Sequence, residues 1–353
     1  MKLSRVLLVI LAVVLGMVPA CKSGPKKLQV AIVTNNPEEF WNFCEAGARK
    51  AAEKYDVDLI FRRPKSDMTD QMNIIKDLEN KGVAGMAVSV LKPEDQAPEL
   101  KLLSEKMKLI TMDNDAEGSG RICYIGTDNY AAGRAVGRLV RQVLPEGGTL
   151  AVFVGEVTPL NARQRFWGLA DELNGVNDRK DSSNPPNPRF DEKIGGKYTL
   201  YRNTAITDAG KREQAQINAQ QALEKIGGEP NVCMIGLWAY NPPKILEAVR
   251  SDARYKHVKI VGFDEAFETL DGISTGEIYA TVVQDPYQFG YRSVEVIAAE
   301  ARGDTSKRVK DPIPYRIVTK DGGETTKDNG VEIQNLKATE FRDQLKQLLD
   351  SVK

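Results

Sequence analysis

Histidine and cysteine, the side chains that most often bind transition metals, are rare in this chain. The sequence contains one histidine and four cysteines. Cys44, Cys123 and Cys233 are far apart in the sequence and form neither a zinc-type pair nor a dense disulfide pattern. We therefore expect no metal site and three small buried side chains. A single bridge such as Cys44–Cys123 remains an alternative in an exported protein.

Motifs for catalysis and for phosphate binding are also missing. The sequence has no glycine-rich phosphate loop and no HExxH helix. Residues 272–276 match G-x-S-x-G, but they lead from a predicted helix into a predicted strand, which is the reverse of a nucleophile elbow. The single histidine, His257, lies in a charged turn. The sequence thus predicts that the protein is not an enzyme and uses no cofactor.

Neither sign of charge is in excess. Lysine and arginine together number 49, and aspartate and glutamate also number 49. A chain without a basic excess lacks the electrostatic footprint of a nucleic-acid-binding protein. We expect no nucleic-acid partner.

The one long apolar run lies at the amino terminus. Lys2 and Arg5 precede LLVILAVVLGMV, and the small residues Pro19 and Ala20 follow it. This arrangement is typical of a secretory signal peptide, and the run is too short for a membrane span. We predict that residues 1–20 are removed on export.

Cys21 directly follows the predicted cleavage point. The segment VPAC resembles a bacterial lipobox, although Val18 occupies the position where leucine is usual. We predict that Cys21 is lipidated and that residues 21–27 form a polar linker. The alternative is an ordinary signal peptide with an incidental cysteine.

After the linker, short apolar runs alternate with longer amphipathic segments. The predicted strands are 28–33, 57–61, 83–88, 108–112, 150–154, 198–201, 232–236, 258–262 and 278–283. The predicted helices are 39–54, 69–80, 94–106, 130–143, 161–173, 209–225, 242–251, 265–270 and 286–301. Strands separated by such helices indicate parallel sheets. The order runs twice, which predicts two similar α/β lobes.

Two further segments do not follow this alternation. Residues 177–193 are polar and interrupted by prolines, which predicts a surface loop. Near the carboxyl terminus, Phe341, Leu345, Leu348 and Val352 recur at helical spacing. They predict an amphipathic helix that packs on one lobe.

Amide and carboxylate side chains stand where predicted strands end. In open parallel sheets, ligands bind outside the carboxyl ends of the strands. One polar strand end is explained by a helix cap or a turn, but several in two lobes favour a shared ligand site. The six candidates are Asn36, Asp113, Asn114, Asn241, Asp264 and Gln284.

Aromatic and cationic residues extend this candidate site. Phe40 and Trp41 are adjacent on a predicted helix, where neighbouring residues point about 100° apart, so both rings cannot easily face one core. The apolar face of a sugar stacks on aromatic rings. Arg163 adds a planar fork of donors. This mixture suits the hydroxyls of a sugar, whereas two aspartates would repel a phosphate or a carboxylate ligand.

From Leu28 to about Lys320 the chain resembles the ribose- and galactose-type periplasmic sugar-binding proteins of ABC importers. The matching motifs are Asn36-Pro37 and Phe40-Trp41, separated by an insertion of Glu38-Glu39; Asp113-Asn114; Ala162-Arg163-Gln164-Arg165; Asn241; Val261-Gly262-Phe263-Asp264; and the A-T-x-x-Q-x-P-x-x-x-G segment at 280–290. The last two of these motifs are the most specific.

The resemblance implies a type I periplasmic binding protein fold, with two Rossmann-like lobes, parallel sheets and a three-segment hinge. The hinge segments would lie near Thr127-Asp128, Gln284-Asp285 and Pro312–Tyr315. The amino-terminal lobe would contain residues 28–127 and 285–313. The carboxyl-terminal lobe would contain 128–284 and 314–353.

The resemblance also implies a function. A monosaccharide would bind between the lobes, which would close over it and deliver it to an ABC permease in the inner membrane. The protein would be a monomer in the periplasm or on the extracytoplasmic membrane surface, held only by its lipid. The implied ligand-binding residues are Asn36, Phe40, Trp41, Asp113, Asn114, Arg163, Asn241, Asp264 and Gln284.

Two points differ from the family pattern or stay open. The family places an aromatic ring before an aspartate of the second lobe, but Thr207 precedes Asp208 here, so Trp238 or Tyr240 is the candidate replacement. A lipoprotein that binds a sugar or a sugar-like signal and passes it to a membrane sensor is the alternative function. The predicted export signal and the absence of DNA-binding helices argue against a transcription regulator.

Overall fold

The computed structural model describes residues 27–65, 67–189 and 193–350. The predicted signal peptide, Cys21 and Val352 lie outside these ranges. The first part of the chain forms β1 (Leu28–Val33), α1 (Phe40–Tyr55), β2 (Val57–Arg62), α2 (Met68–Asn80), β3 (Gly85–Val88), α3 (Pro93–Ser104), β4 (Lys108–Met112) and β5 (Tyr124–Ile125). The strands pair in parallel in the order β2-β1-β3-β4-β5.

The second part of the chain builds a larger sheet. Its elements are α4 (Asn129–Val143), β6 (Gly148–Val154), α5 (Leu160–Asn174), β7 (Tyr198–Leu200), β8 (Ile206–Thr207), α6 (Arg212–Ile226), β9 (Val232–Gly236), α7 (Asn241–Arg250), β10 (Lys259–Phe263), α8 (Phe267–Thr275), β11 (Ala280–Val283), α9 (Pro286–Ala301), β12 (Arg316–Thr319), β13 (Thr326–Asp328), β14 (Val331–Ile333), β15 (Asn335–Lys337) and α10 (Ala338–Asp350). The strand order is β15-β12-β11-β10-β9-β6-β7, and β8 also pairs with β6. The pairing of β11 with β12 is antiparallel, and β13 and β14 form a separate hairpin.

Helix α9 belongs to the first sheet in space, although it follows β11 in the chain. Its apolar face, which includes Phe289 and Ile297, packs with Val30 and Ile32 of β1 in one buried cluster. The chain therefore passes between the two sheets three times. We call the two bodies built on these sheets the first and second lobes.

The three crossing segments contact one another. The backbone N–H of Ile313 donates to the carbonyl of Gly126 at 2.8 Å. The guanidinium of Arg316 donates to the carbonyl of Gln284 and lies 3.7 Å from the carboxylate of Asp285. Segments that are hydrogen-bonded to one another in this way can bend together.

Each lobe holds a pair of helices together through glycines. A Cβ on Gly47 of α1 would lie 1.9 Å from the carbonyl oxygen of Tyr287 in α9, and a Cβ on Gly290 of α9 would lie 1.9 Å from the carbonyl oxygen of Cys44. Helices α4 and α5 approach in the same way, at Gly133 and Gly168. Only glycine permits such close contact of two helix backbones.

The predicted fold class is confirmed: the protein has two α/β lobes with mainly parallel sheets. Helix α6 begins later than predicted because Ala209 and Gly210 have positive φ, which forms a turn. Helix α8 extends to Thr275, so Ser274 lies in its last turn and donates to the carbonyl of Leu270. The sequence prediction missed β5, β8 and β12 to β15.

The described cysteines, Cys44, Cys123 and Cys233, are buried free thiols, so the alternative of a bridge among them is wrong. Phe341 and Leu345 of α10 are buried against the second lobe. Within the described part of the chain, every helix is too short or too polar to cross a bilayer.

Candidate ligand-binding site

A cavity with about 390 Å³ of empty space lies between the lobes, at the carboxyl ends of the parallel strands. Gln284, at the second of the three crossings, contributes to its lining. The first lobe provides Asn35, Asn36, Glu38, Phe40, Trp41 and Asp113. The second lobe provides Asn161, Arg165, Trp238, Ala239, Tyr240 and Asp264.

Two buried carboxylates face this cavity, one from each lobe. Asp113 follows β4 with a φ of 61°, and Asp264 follows β10 with a φ of 66°. Ser89 donates to Asp113 at 2.8 Å, and the amide of Gln284 donates to Asp264 at 2.9 Å. A left-handed backbone is costly for aspartate, and such strain is concentrated at functional sites.

Burial raises the pKa of both carboxyl groups. It raises the pKa of Asp113 to about 6, against the opposing effects of Arg165 and Ser89. Burial also raises the pKa of Asp264, which Arg165 and Gln284 counteract. Desolvation disfavours the charged form of a carboxyl group, so both side chains need hydrogen-bond donors when they ionise.

Arg165 is held rigidly beside Asp264. Its Nε donates to Asn129 and its Nη1 donates to the carbonyl of Leu237, each at 2.8 Å. The guanidinium lies 3.9 Å above the ring centroid of Phe263. Its remaining nitrogen, Nη2, is buried and has no partner in the described part of the chain. Arg165 is therefore fixed in position with one donor group free for a ligand.

Five polar atoms around the cavity lack a hydrogen-bond partner among the described residues. Leaving a buried polar atom unsatisfied costs about 1–3 kcal/mol, so a cluster of them indicates a polar ligand. Three are amide oxygens and two are N–H donors, a mixture that matches hydroxyl groups. The atoms are Asn35 Oδ1, Asn161 Oδ1, Gln284 Oε1, Arg165 Nη2 and Trp238 Nε1.

Aromatic rings form walls on both sides. In the first lobe, Phe40 and Trp41 both line the cavity, with ring centroids 5.1 Å apart and planes at 88°. Trp41 is fixed because its Nε1 donates to Asn36 at 2.9 Å. In the second lobe, Trp238 and Tyr240 make a similar edge contact at 6.3 Å. The adjacent aromatics therefore serve the cavity as well as the core.

Six of the predicted ligand-binding residues line this cavity, and three do not. Asn114 is fully buried and accepts from the backbone N–H of Asn161 at 3.3 Å. Arg163 donates to Glu94 and Asn184, each at 2.9 Å. Asn241 donates to Asp208 at 2.9 Å. The structure thus places these three in contacts within the protein.

The sequence analysis did not select several lining residues as ligand-binding residues. Arg165 stands in the same four-residue motif as Arg163, and it is the arginine that reaches the cavity. Asn35 directly precedes Asn36, so the run of two asparagines after β1 was an available signal. Asn161 and Glu38 carried no pattern that distinguished them.

Contacts across the cleft join the lobes beside the cavity. Arg212 of α6 donates to the carboxylate of Glu38 at 2.6 Å. Arg163 of α5 reaches Glu94 of α3. The lobes are therefore closed on one another in this structure.

A two-lobed α/β protein that encloses a polar cavity at its strand ends has the architecture of a solute-binding protein. A model of the periplasmic binding protein domain matches residues 30–305, and the chain belongs to that family.

Relatives cover nearly the full length of the chain. The ribose import binding protein of Salmonella typhimurium is 21% identical over 91% of this chain and 100% of its own. The D-ribose/D-allose-binding protein of Pseudomonas aeruginosa is 23% identical over 84% of this chain and 90% of its own. Among solved structures, an ABC transporter solute-binding protein of Burkholderia graminis in complex with D-arabinose has a TM-score of 0.72, with 24% identity over 84% of this chain and 96% of its own.

Proposed function

We propose that this protein captures a monosaccharide in the cavity between its lobes and delivers it to an ABC permease. The main observation in support of the proposal is the set of five unpartnered polar atoms described above. They lie beside two buried carboxylates and two aromatic walls. Hydroxyl groups both donate and accept, so a sugar satisfies carboxylates, amide oxygens and N–H groups in one pose.

The names of the relatives support this ligand class. Two curated relatives are named for ribose or allose, and a structural neighbour was solved with D-arabinose. The individual sugar is set by the pocket, because a missing hydroxyl leaves a buried polar group unpaired.

Each lobe contributes a defined share of the contacts. Phe40 and Trp41 border the sugar from the first lobe. Because their planes stand at 88°, one ring stacks on the face of the sugar while the other contacts its edge. Asp113 accepts from hydroxyls in the first lobe, and Asp264 accepts from them in the second. Arg165, held by Asn129 and Leu237, donates from Nη2.

Release requires the lobes to separate by bending at the three crossings. The segments near 127–128, 284–285 and 312–315 are the proposed hinge, with lobes of 28–127 plus 285–313 and 128–284 plus 314–353. The carboxylates of Asp128 and Asp285 cap the helices that leave two of these segments, at Ala131 and Gln288. Rigid helices that begin directly after a hinge move as units with their lobes.

The affinity test uses calorimetry on protein that has been unfolded and refolded to remove bound ligand. Ribose, allose, arabinose, xylose, galactose, glucose and inositol are the probes, with nucleosides and amino acids as other classes. We expect one sugar to bind and Asp264→Asn to abolish its binding. Asp77→Asn, an exposed aspartate on α2, is the matched control. Binding of an amino acid instead of any sugar contradicts the proposal.

Transport is tested in cells that lack the gene. Uptake of the sugar identified by calorimetry should fall and should recover with the wild-type gene but not with Asp264→Asn. Uptake that is unchanged by the deletion contradicts delivery to a permease and favours the signalling alternative.

Attachment to the membrane is part of the proposal and has its own test. We expect Cys21 to carry the lipid that holds the protein on the extracytoplasmic surface. The wild-type protein should partition into detergent and incorporate labelled palmitate, and Cys21→Ala should do neither. A labelled Cys21→Ala variant contradicts this anchor.

A further inference from the structure

A second chamber adjoins the cavity between the lobes. It contains about 530 Å³ of empty space and shares Glu38, Phe40, Ala239 and Tyr240 with the first cavity. Because the two spaces have these side chains in common, a substituent on a ligand in the first cavity is close to the second chamber.

The second chamber combines acidic groups with apolar walls. Among the described residues, four glutamates and one arginine line it, and one of the glutamates, Glu38, is already paired with that arginine, Arg212. Phe43 and Phe267 form part of the wall, with their rings 6.3 Å apart. With Glu39, Glu265 and Glu268, the acidic groups of the lining outnumber the basic ones, although the guanidinium of Arg342 lies 5.6 Å from the centroid of the Phe267 ring. This surface suits a cation on a short carbon stem.

Glu265 is the most unusual member of this lining. Only 2% of its surface is exposed, and neither carboxylate oxygen has a hydrogen-bond partner among the described residues. It directly follows Asp264, so two consecutive residues line the first cavity and the second chamber. A buried carboxyl group without a hydrogen-bond partner is unfavourable whether or not it is ionised, so a ligand donor at this position would remove that cost.

Other charges around Glu265 do not replace such a partner. Burial, and then the neighbouring Asp264, raise the pKa of Glu265 well above its usual value, and Arg316 lowers it only in part. The acidic residues of the described ranges include no group of three or more that could hold a metal ion. An organic cation is therefore the better match than a metal.

We propose that the second chamber receives an ammonium group carried by the ligand, so that the preferred ligand is an amine-bearing sugar derivative whose polyol part occupies the first cavity. This inference rests on the function proposed above. The ammonium group donates to Glu265 and Glu268 while its carbon stem lies against Phe43 and Phe267.

The test compares ligands that differ only in the amine. The probes are 2-amino-2-deoxy sugars against their parent sugars, and 2-aminoethyl glycosides against 2-hydroxyethyl glycosides, each in both anomeric forms. Calorimetry on the refolded protein should show at least one amine that binds about tenfold or more tightly than its neutral partner, as expected for a hydrogen bond to a charged group. Glu265→Gln should bring that ratio close to one.

Two further variants keep the test decisive. Glu268→Gln, on the exposed side of α8, should reduce the same ratio and is informative if Glu265→Gln does not fold. Glu224→Gln, on the outer surface of α6, removes the same charge far from the chamber and should leave the ratio unchanged.

The outcomes separate the two proposals. Equal binding of amine and neutral partners, or a preference that survives both Glu265→Gln and Glu268→Gln, overturns the second-chamber inference alone. Amines that bind while every neutral sugar fails support the inference and overturn the neutral monosaccharide as ligand. If neither class binds, both proposals are overturned.

Discussion

The guanidinium of Arg165 lies 3.9 Å from the carboxylate of Asp264, in a pair whose side chains are 2% and 6% exposed. Both residues line the cavity between the lobes, and the guanidinium also covers the ring of Phe263. A buried ion pair is weak evidence of net stability, but removing one partner leaves an uncompensated charge.

We therefore expect Arg165→Met to lower the free energy of unfolding by about 3–5 kcal/mol, because Asp264 loses its nearest cation. Urea denaturation measures this loss. Arg254→Met is a matched control, since Arg254 also pairs with an aspartate, Asp252 at 2.7 Å, and lies over a tyrosine ring, but its side chain is 78% exposed. The control should lose far less stability, and equal losses would contradict the role of burial.

Asp113 should make the stability of the empty protein depend on pH. Its pKa is raised to about 6 in the folded state by burial, above the ordinary value of an aspartate in the unfolded chain. The folded protein then binds more protons than the unfolded chain between about pH 4 and 6, so this contribution to stability is complete at low pH and is lost as pH rises through 6.

The measurement is the free energy of unfolding of wild type and Asp113→Asn from pH 4 to 7.5. The variant should gain stability relative to wild type as pH rises, by roughly 3 kcal/mol across the range for a pKa difference of about two units. Asp77→Asn, at an exposed position, is the matched control. If the difference in free energy of unfolding between Asp113→Asn and wild type does not change with pH, the prediction is wrong.

The glycine contact between α1 and α9 should be intolerant of a methyl group. A Cβ at Gly290 meets the carbonyl oxygen of Cys44, so Gly290→Ala must push the helices apart. We expect it to lower the free energy of unfolding by about 2 kcal/mol or more. At Gly228 a Cβ meets nothing within 4 Å, and Gly228→Ala should change stability by less than about 0.5 kcal/mol.

Replacing Arg163 can show whether this residue contacts the ligand or only joins the two lobes. The structure has its guanidinium donating to Glu94 of the other lobe, whose side chain is 57% exposed. Removing such a partly exposed pair should weaken sugar binding by about two- to fivefold, mainly through faster release.

A double-mutant cycle provides the check. Arg163→Gln should weaken binding in the wild-type background but have little further effect when Glu94→Gln is already present. If Arg163→Gln costs the same affinity in both backgrounds, Arg163 contacts the ligand, as the family resemblance implied.

Most of the fold could be predicted from the sequence because apolar runs and amphipathic helices alternate regularly. Strands such as β1 and β9 were predicted at their observed bounds. Strands β12 to β15 were missed because three- or four-residue strands with half-exposed positions show no clear period. Their places are decided by pairing with β11 and with one another.

The candidate site could be predicted only to the level of strand ends. Asp113 and Asp264 stand at the cavity because each follows a strand directly. Asn114 comes one residue later, and the left-handed backbone at Asp113 turns it into the protein. Arg163 and Arg165 are two positions apart on α5 and so point in different directions. Gly133 of α4 and Gly168 of α5 set how these two helices pack, and this packing decides which of the two arginines faces the cavity. A sequence motif does not contain that information.

The late position of α9 in the chain has a consequence for how the protein is made. When Val283 leaves the ribosome, all five strands of the first sheet exist, but the helix that covers β1 does not. The second sheet also still lacks β12 and β15. Neither lobe can finish before most of the polypeptide has been synthesised, because long-range partners must arrive first. The order of elements therefore delays the completion of both lobes until the last third of the chain has begun to appear.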